Sequence, residues 1–202
     1  MNTNKQQQRG DANLAIHTAA HFFELAGKFF GALPVDKAAF HTVVNQPENI
    51  GRLITASTNL GLSIELYLKG IALMTKGTAT ITHNLLTLFK DLPGDVQDSI
   101  KQRYSRRFNH APKSKLRTID FYISTQNQLP ASVEKRAPIL SDVDQQDVCK
   151  VLEVEKDAFQ TWRYVYEQAP AAGWSRVTVH YAHLCIVVNS IQDQFKPAHD
   201  RP

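Results

Sequence analysis

A chain of 202 residues with 43% hydrophobic side chains can fill one large core and is too apolar to remain disordered. Two scattered cysteines, Cys149 and Cys185, exclude a disulfide framework and a cysteine-rich zinc site. No apolar run approaches the roughly 18 residues that span a bilayer, and the opening MNTNKQQQRG lacks an apolar signal core, so a cytoplasmic protein without a membrane segment is expected. The net charge of +4 is local. Seven of the 23 basic residues lie in 101–117, where there is no acid, and the rest of the chain is net acidic. Such a patch attracts phosphates and speeds encounter without specifying a fold.

In chain order, residues 1–11 are polar and read as a disordered tail. From Leu14 to Leu33, apolar residues recur at helical spacing until Pro34, and a short helix is expected over Asp36–Val44. Asn45 or Gln46 before Pro47, with Glu48 following, marks the start of a long helix, and Gly77 marks its stop after Lys76. Leu53, Leu60, Ile64, Leu68 and Ile71 form one apolar row on it, and Leu62, Leu66 and Leu73 form another. A helix apolar on several sides is surrounded by other helices. Gly61 and Gly70 each cost about 1 kcal/mol against alanine in a helix, so other backbones are expected to pass close by.

A short helix capped by Thr82 and stopped by Pro93 follows, then one over GDVQDSIKQRYSRRFNHAP. The segment SKLRTIDFYISTQNQL reads as helical, with TIDFYIST also strand-like. Ser141 or Asp142 starts a helix through VDQQDVCKVLEVEKDAF, and Val177, Tyr181, Leu184, Val188, Ile191 and Phe195 trace the stripe of a last helix. No repeat, Gly-rich phosphate loop or series of strands is present. The expected fold is all-α, a helical bundle built on a long central helix, as a single domain over 12–196 with a loose tail at 197–202.

Three short blocks then carry a likeness. Ser63, Glu65, Leu66, Leu68 and Lys69 form an S-x-E-L-x-L-K pattern. His83, Leu85, Leu88 and Phe89 form H-x-L-x-x-L-F, and Trp162, Arg163, Tyr164, Tyr166 and Glu167 form W-R-Y-x-Y-E. In this order they resemble the HEPN-domain superfamily. The resemblance implies an HEPN-like bundle, a homodimer, and an association with RNA or nucleotides. Many relatives are metal-independent ribonucleases of toxin–antitoxin and phage-defence systems, with an arginine and a histidine separated by four to six intervening residues. Others lack that signature and act as binding modules, for a partner such as a nucleotidyltransferase-type antitoxin. No cofactor is implied.

Two stretches have the arginine–histidine spacing. On one continuous last helix, Arg176, His180 and His183 fall within roughly 60° of one another at about 100° per residue. There an imidazole could move a ribose proton while the guanidinium stabilises phosphate charge. Arg103 and His110 are the second choice, with Pro112 close behind. The plain alternative is a helix face whose histidines pack against neighbours. Val177 and Tyr104 stand where the signature prefers a small polar residue, which leaves open whether the chain is an enzyme.

Outside the resemblance, Arg103, Tyr104, Arg106, Arg107 and Phe108 alternate cations with aromatics, as RNA contact by phosphate pairing and base stacking requires. Glu65 and Lys69, one turn apart, are expected to share a structural charge cluster with Arg163 or Glu167. His83 is expected as a first-turn histidine bonded to backbone. No histidine or cysteine spacing supports a metal site.

Overall fold

The computed structural model describes residues 2–31, 46–112, 116, 118–124, 144–163 and 174–195. In these the chain runs through α1 (Asn2–Phe30), α2 (Pro47–Lys76), α3 (Leu85–Lys90), α4 (Gly94–His110), β1 (Ile119–Ser124), a 3-10 turn at Asp144–Gln146, α5 (Val148–Val154), α6 (Ala158–Arg163), β2 (Trp174–Val179) and α7 (Tyr181–Gln192). The fold is a helical bundle with one two-stranded antiparallel pair, β1 with β2. No helix among the described residues is long and apolar enough to cross a membrane.

α2 has the bounds that its punctuation specifies. Pro47 occupies the first turn with Glu48, and Gly77 takes the left-handed conformation at φ 75°, its N–H donating to the Leu73 carbonyl. Leu53, Leu60, Ile64, Leu68 and Ile71 are all buried, whereas Leu62, Leu66 and Leu73 are only half-buried. α2 packs against α1, α3, α6 and α7. Each fully buried leucine or isoleucine in it contributes on the order of 1.5–3 kcal/mol over an exposed one.

The seam between α1 and α2 is built from small residues. Ala12, Ala19 and Ala26 recur every seven residues on α1 and are buried, and so do Ala56, Ser63 and Gly70 on α2. The two series run antiparallel. Ser63 Oγ donates to the Ala19 carbonyl at 2.8 Å, and a Cβ on Gly70 would stand 3.3 Å from the Ala12 carbonyl oxygen and 2.7 Å from Ile16 Cγ1. Continuing that register puts Ala26 opposite Ala56. The seven-residue period keeps one face of each helix on the other, and the absence of bulk lets the backbones approach.

Gly61 makes a second close approach, to α6, where a Cβ would meet the Phe159 backbone nitrogen at 3.0 Å. Alanine at Gly61 or Gly70 is therefore expected to destabilise the fold by about 1–3 kcal/mol. Alanine at exposed Gly51, which has open space around it, is expected to stabilise by about 0.5–1 kcal/mol through helix propensity alone. Urea titrations of the three variants measure this opposition of sign, and a common sign would disprove the crossing argument.

Several elements differ from the sequence reading. Residues 2–11 continue α1 rather than forming a tail; the glutamine-rich stretch favours helix, and Ala12 already sits in the seam. The cap of α3 is Asn84, not Thr82: Asn84 Oδ1 accepts from the Thr87 N–H at 2.9 Å, and Thr82 Oγ accepts from the Asn84 N–H. The helix read from Ser141 is α5 and α6 with a turn between them, α5 being capped by Asp147, which accepts from the Cys149 N–H. The strand-like side of TIDFYIST is the one realised, and residues 174–179 are strand rather than helix. The proposed helix at 36–44 and the tail at 197–202 lie outside the described residues.

Candidate functional site

The three candidate catalytic residues do not share a helix. Trp174–Val179, with Val177, Thr178 and Val179 β-branched in succession, pairs as β2 with Ile119–Ser124, and α7 begins only at Tyr181. Arg176 lies in β2 opposite Tyr122; its side chain lies outside the described residues. His180 links strand to helix and is 1% exposed, and its Nδ1 lies 2.8 Å from Glu155 Oε1, itself buried in the turn after α5.

His183, in the first turn of α7, is fully buried. Its Nδ1 lies 3.1 Å from the Tyr104 hydroxyl, which donates its one proton to the Gln145 carbonyl at 2.8 Å. The N–H at His183 Nδ1 must then donate to the Tyr104 oxygen, which assigns the neutral Nδ1–H tautomer from the network. Burial, reinforced by His180 beside it, pushes His183 down to about 4, and burial with Asp147 nearby drives the Tyr104 phenol well above its ordinary range. The Phe108 ring stacks on His183 at 5.7 Å and on Tyr104 at 6.2 Å. These groups lock α4, the 3-10 turn, α5 and α7 together. They do not form an open acid–base centre.

The same contacts change the reading of the basic segment. Tyr104 is completely buried, so its ring is not available to stack on a base. Arg107 reaches inward, its guanidinium donating to Asp193 Oδ2 from Nη2 at 2.6 Å and from Nε at 3.2 Å. Arg103 and Phe108 are half-buried, and Arg106 and His110 are exposed, with His110 Nδ1 2.7 Å from the Arg106 carbonyl. The cations read as one phosphate-contacting face thus divide between an internal ion pair and the surface. Arg103 and His110 stand about two turns apart on α4, the first half-buried and the second exposed. The sequence missed Asp193 and Glu155 as the partners of these groups, because each lies far along the chain and carries no local spacing signal.

Glu65 and Lys69 pair across one helical turn, and His83 joins them. Glu65 is 3% exposed. Oε1 accepts from Lys69 Nζ at 2.7 Å, and both carboxylate oxygens lie 3.0 Å from His83 Nδ1. His83 precedes α3 and reaches back to this carboxylate rather than to backbone; its side chain is 47% exposed. The Phe159 ring of α6 lies 5.5 Å from the imidazole. The Arg163 side chain and Glu167 lie outside the described residues. A buried carboxylate answered by an ammonium and an imidazole N–H satisfies the demand that a desolvated charge makes.

Between α1 and α2 a groove of about 670 Å³ is floored by Leu25, Phe29 and Ala56 and rimmed by Lys28, Glu48 and Arg52. Leu14 and Leu25, three turns apart on α1, are 68% and 50% exposed. Among the described residues no three His, Cys, Asp or Glu side chains are grouped so as to hold a metal ion.

No protein-family model, curated protein or solved structure is matched by this chain.

Proposed function

We propose that this chain is a catalytically inert, HEPN-like helical module that acts by association, first with a second copy of itself. The observation that carries this reading is the burial of His180 and His183 in structural hydrogen bonds, where a ribonuclease would need them open to a substrate. The outward face of α1 supports self-association. Turned antiparallel about a two-fold axis, it sets Leu14 against Leu25 of the second copy and Asp11 against Lys28 of the second copy, so that apolar and charged positions both match. The resemblance adds a nucleotidyltransferase-type antitoxin as the class of protein that such a module would serve.

A second reading, RNA association, rests on the exposed Arg106 with Lys101 and His110 on α4. Purified protein is expected to run as a dimer in light scattering, to become monomeric as Leu14→Glu with Leu25→Glu, and to leave total RNA intact. RNA cleavage lost in Arg176→Ala or His180→Ala would restore the ribonuclease reading. A monomeric wild type would remove the α1 face from the proposal. Salt-sensitive RNA binding without cleavage, weakened in Arg106→Ala, would favour the second reading.

A further inference from the structure

The groove between α1 and α2 has the chemistry for one kind of occupant. Its floor of Leu25, Phe29 and Ala56 is apolar, and its rim carries Lys28, Arg52 and Glu48, two cations against one acid. Lys28 is already paired with Glu24 at 3.2 Å. Arg52 is exposed and takes part in no hydrogen bond or ion pair with a described residue. An apolar floor beside an uncommitted guanidinium fits a leucine with a carboxylate one turn away. The chain carries that combination. Asp11 and Leu14 lie about 4.5 Å apart along the axis of α1; both are exposed, and Asp11 has no partner among the described residues. They cannot fill the groove of their own chain. Asp11 adjoins Ala12, which faces Gly70, whereas Arg52 is one turn from Ala56, which faces Ala26. Between residues 52 and 70 α2 rises about 27 Å.

We infer that the groove is a socket for the Asp11–Leu14 turn of a second copy, and that Arg52 is the ion-pair partner of that copy's Asp11. This pairing, which rests on the self-association reading, brings α2 into an interface so far confined to α1. The antiparallel register that sets Leu14 against Leu25 of the second copy carries the same turn to the mouth of the groove, because Leu25 and Lys28 both line it. Leu14 of the second copy then covers Leu25 and Phe29 and removes their apolar surface from water. Asp11 of the second copy arrives at the rim between Lys28, which keeps Glu24, and Arg52, whose planar fork of N–H groups matches a carboxylate. The two-fold axis repeats the contact, so one dimer holds two sockets and two such pairs.

A double-mutant cycle on the full chain tests the pair. Asp11→Asn, Arg52→Gln and the combined variant are compared with the wild type by sedimentation equilibrium, which gives each dimer's dissociation constant. Both positions are exposed, and helicity by circular dichroism is expected to stay unchanged. Each single substitution is expected to weaken the dimer about fivefold. The combined variant is also expected to weaken it about fivefold, not the roughly 25-fold of independent sites, because the second substitution finds the pair already broken. With the two residues so far apart within one chain, such coupling arises only between copies. A loss from Asp11→Asn with Arg52→Gln neutral would place the carboxylate on Lys28 alone and overturn the socket while the dimer itself stood. Losses that multiply, or a dimer indifferent to both substitutions, would overturn it equally. A monomeric wild type would overturn it together with the self-association reading.

Discussion

The free energy of unfolding is expected to fall by about 3 kcal/mol through His183 alone as pH drops from neutrality to about 4. In the unfolded chain this imidazole takes up its proton near 6.5, whereas in the folded protein burial holds it down to about 4. Between those values the unfolded state binds a proton that the native state refuses, so stability rises with pH across the window. The contribution is complete above about 6.5, is lost progressively on acidification, and changes no further below about 4. At 1.36 kcal/mol per pKa unit the window corresponds to about 3 kcal/mol. His183→Asn keeps an N–H for the Tyr104 oxygen and cannot titrate. The stability difference between wild type and variant, from urea titrations over a pH series, should therefore shrink by about that amount between pH 7 and pH 4. A difference independent of pH would mean that the imidazole is open to protons in the folded state.

Arg107→Ala is expected to cost about 3 kcal/mol, the lower end for breaking a buried pair, because Asp193 is 2% exposed while Arg107 remains 32% exposed. Two guanidinium N–H groups are lost from one buried carboxylate oxygen. Lys101→Ala, on the same helix, breaks an exposed pair with Asp98 and should cost under about 1 kcal/mol. Thermal or urea denaturation of the two variants side by side distinguishes an internal tie from a surface charge. Equal effects would show that Arg107 serves the surface after all. The test also bears on RNA, since a change at Arg107 that weakened binding through misfolding would imitate the loss of a phosphate contact.

What the sequence revealed and what it concealed divide along the range of the interactions. α2 was legible because its signals are local: Pro47 and Glu48 at one end, Gly77 at the other, and apolar residues at helical spacing between. The closeness of Glu65 to Lys69 follows from one helical turn, and the crossings at Gly61 and Gly70 follow from the cost of glycine in a helix. The strand at 174–179 was hidden because Val177, Tyr181 and Leu184 are spaced as on a helix, while its pairing partner lies far upstream in sequence, at 119–124. His83 was read as bound to local backbone because no spacing rule points from it back to Glu65. The burial of Tyr104 was concealed in the same way. An alternation of arginines and aromatics looks like a nucleic-acid surface until the far partners of each side chain, Gln145, His183 and Asp193, are in place.

The small-residue seam of α1 and α2 has a consequence for the order in which the chain assembles. Its rungs are nested: Ala26 with Ala56 is the pair nearest in sequence, Ala19 with Ser63 spans more chain, and Ala12 with Gly70 spans most. Closing a loop costs more entropy the longer it is, so the inner rung forms first and each closure shortens the loop that the next must close. The two helices therefore zip outward toward the amino terminus. On a ribosome the inner rung becomes available once Ala56 has emerged, well before the later helices exist to cover the other faces of α2. The first part of this bundle to form is then a bare helical hairpin, and its vulnerability is the apolar row from Leu53 to Ile71 waiting for α6 and α7 to arrive.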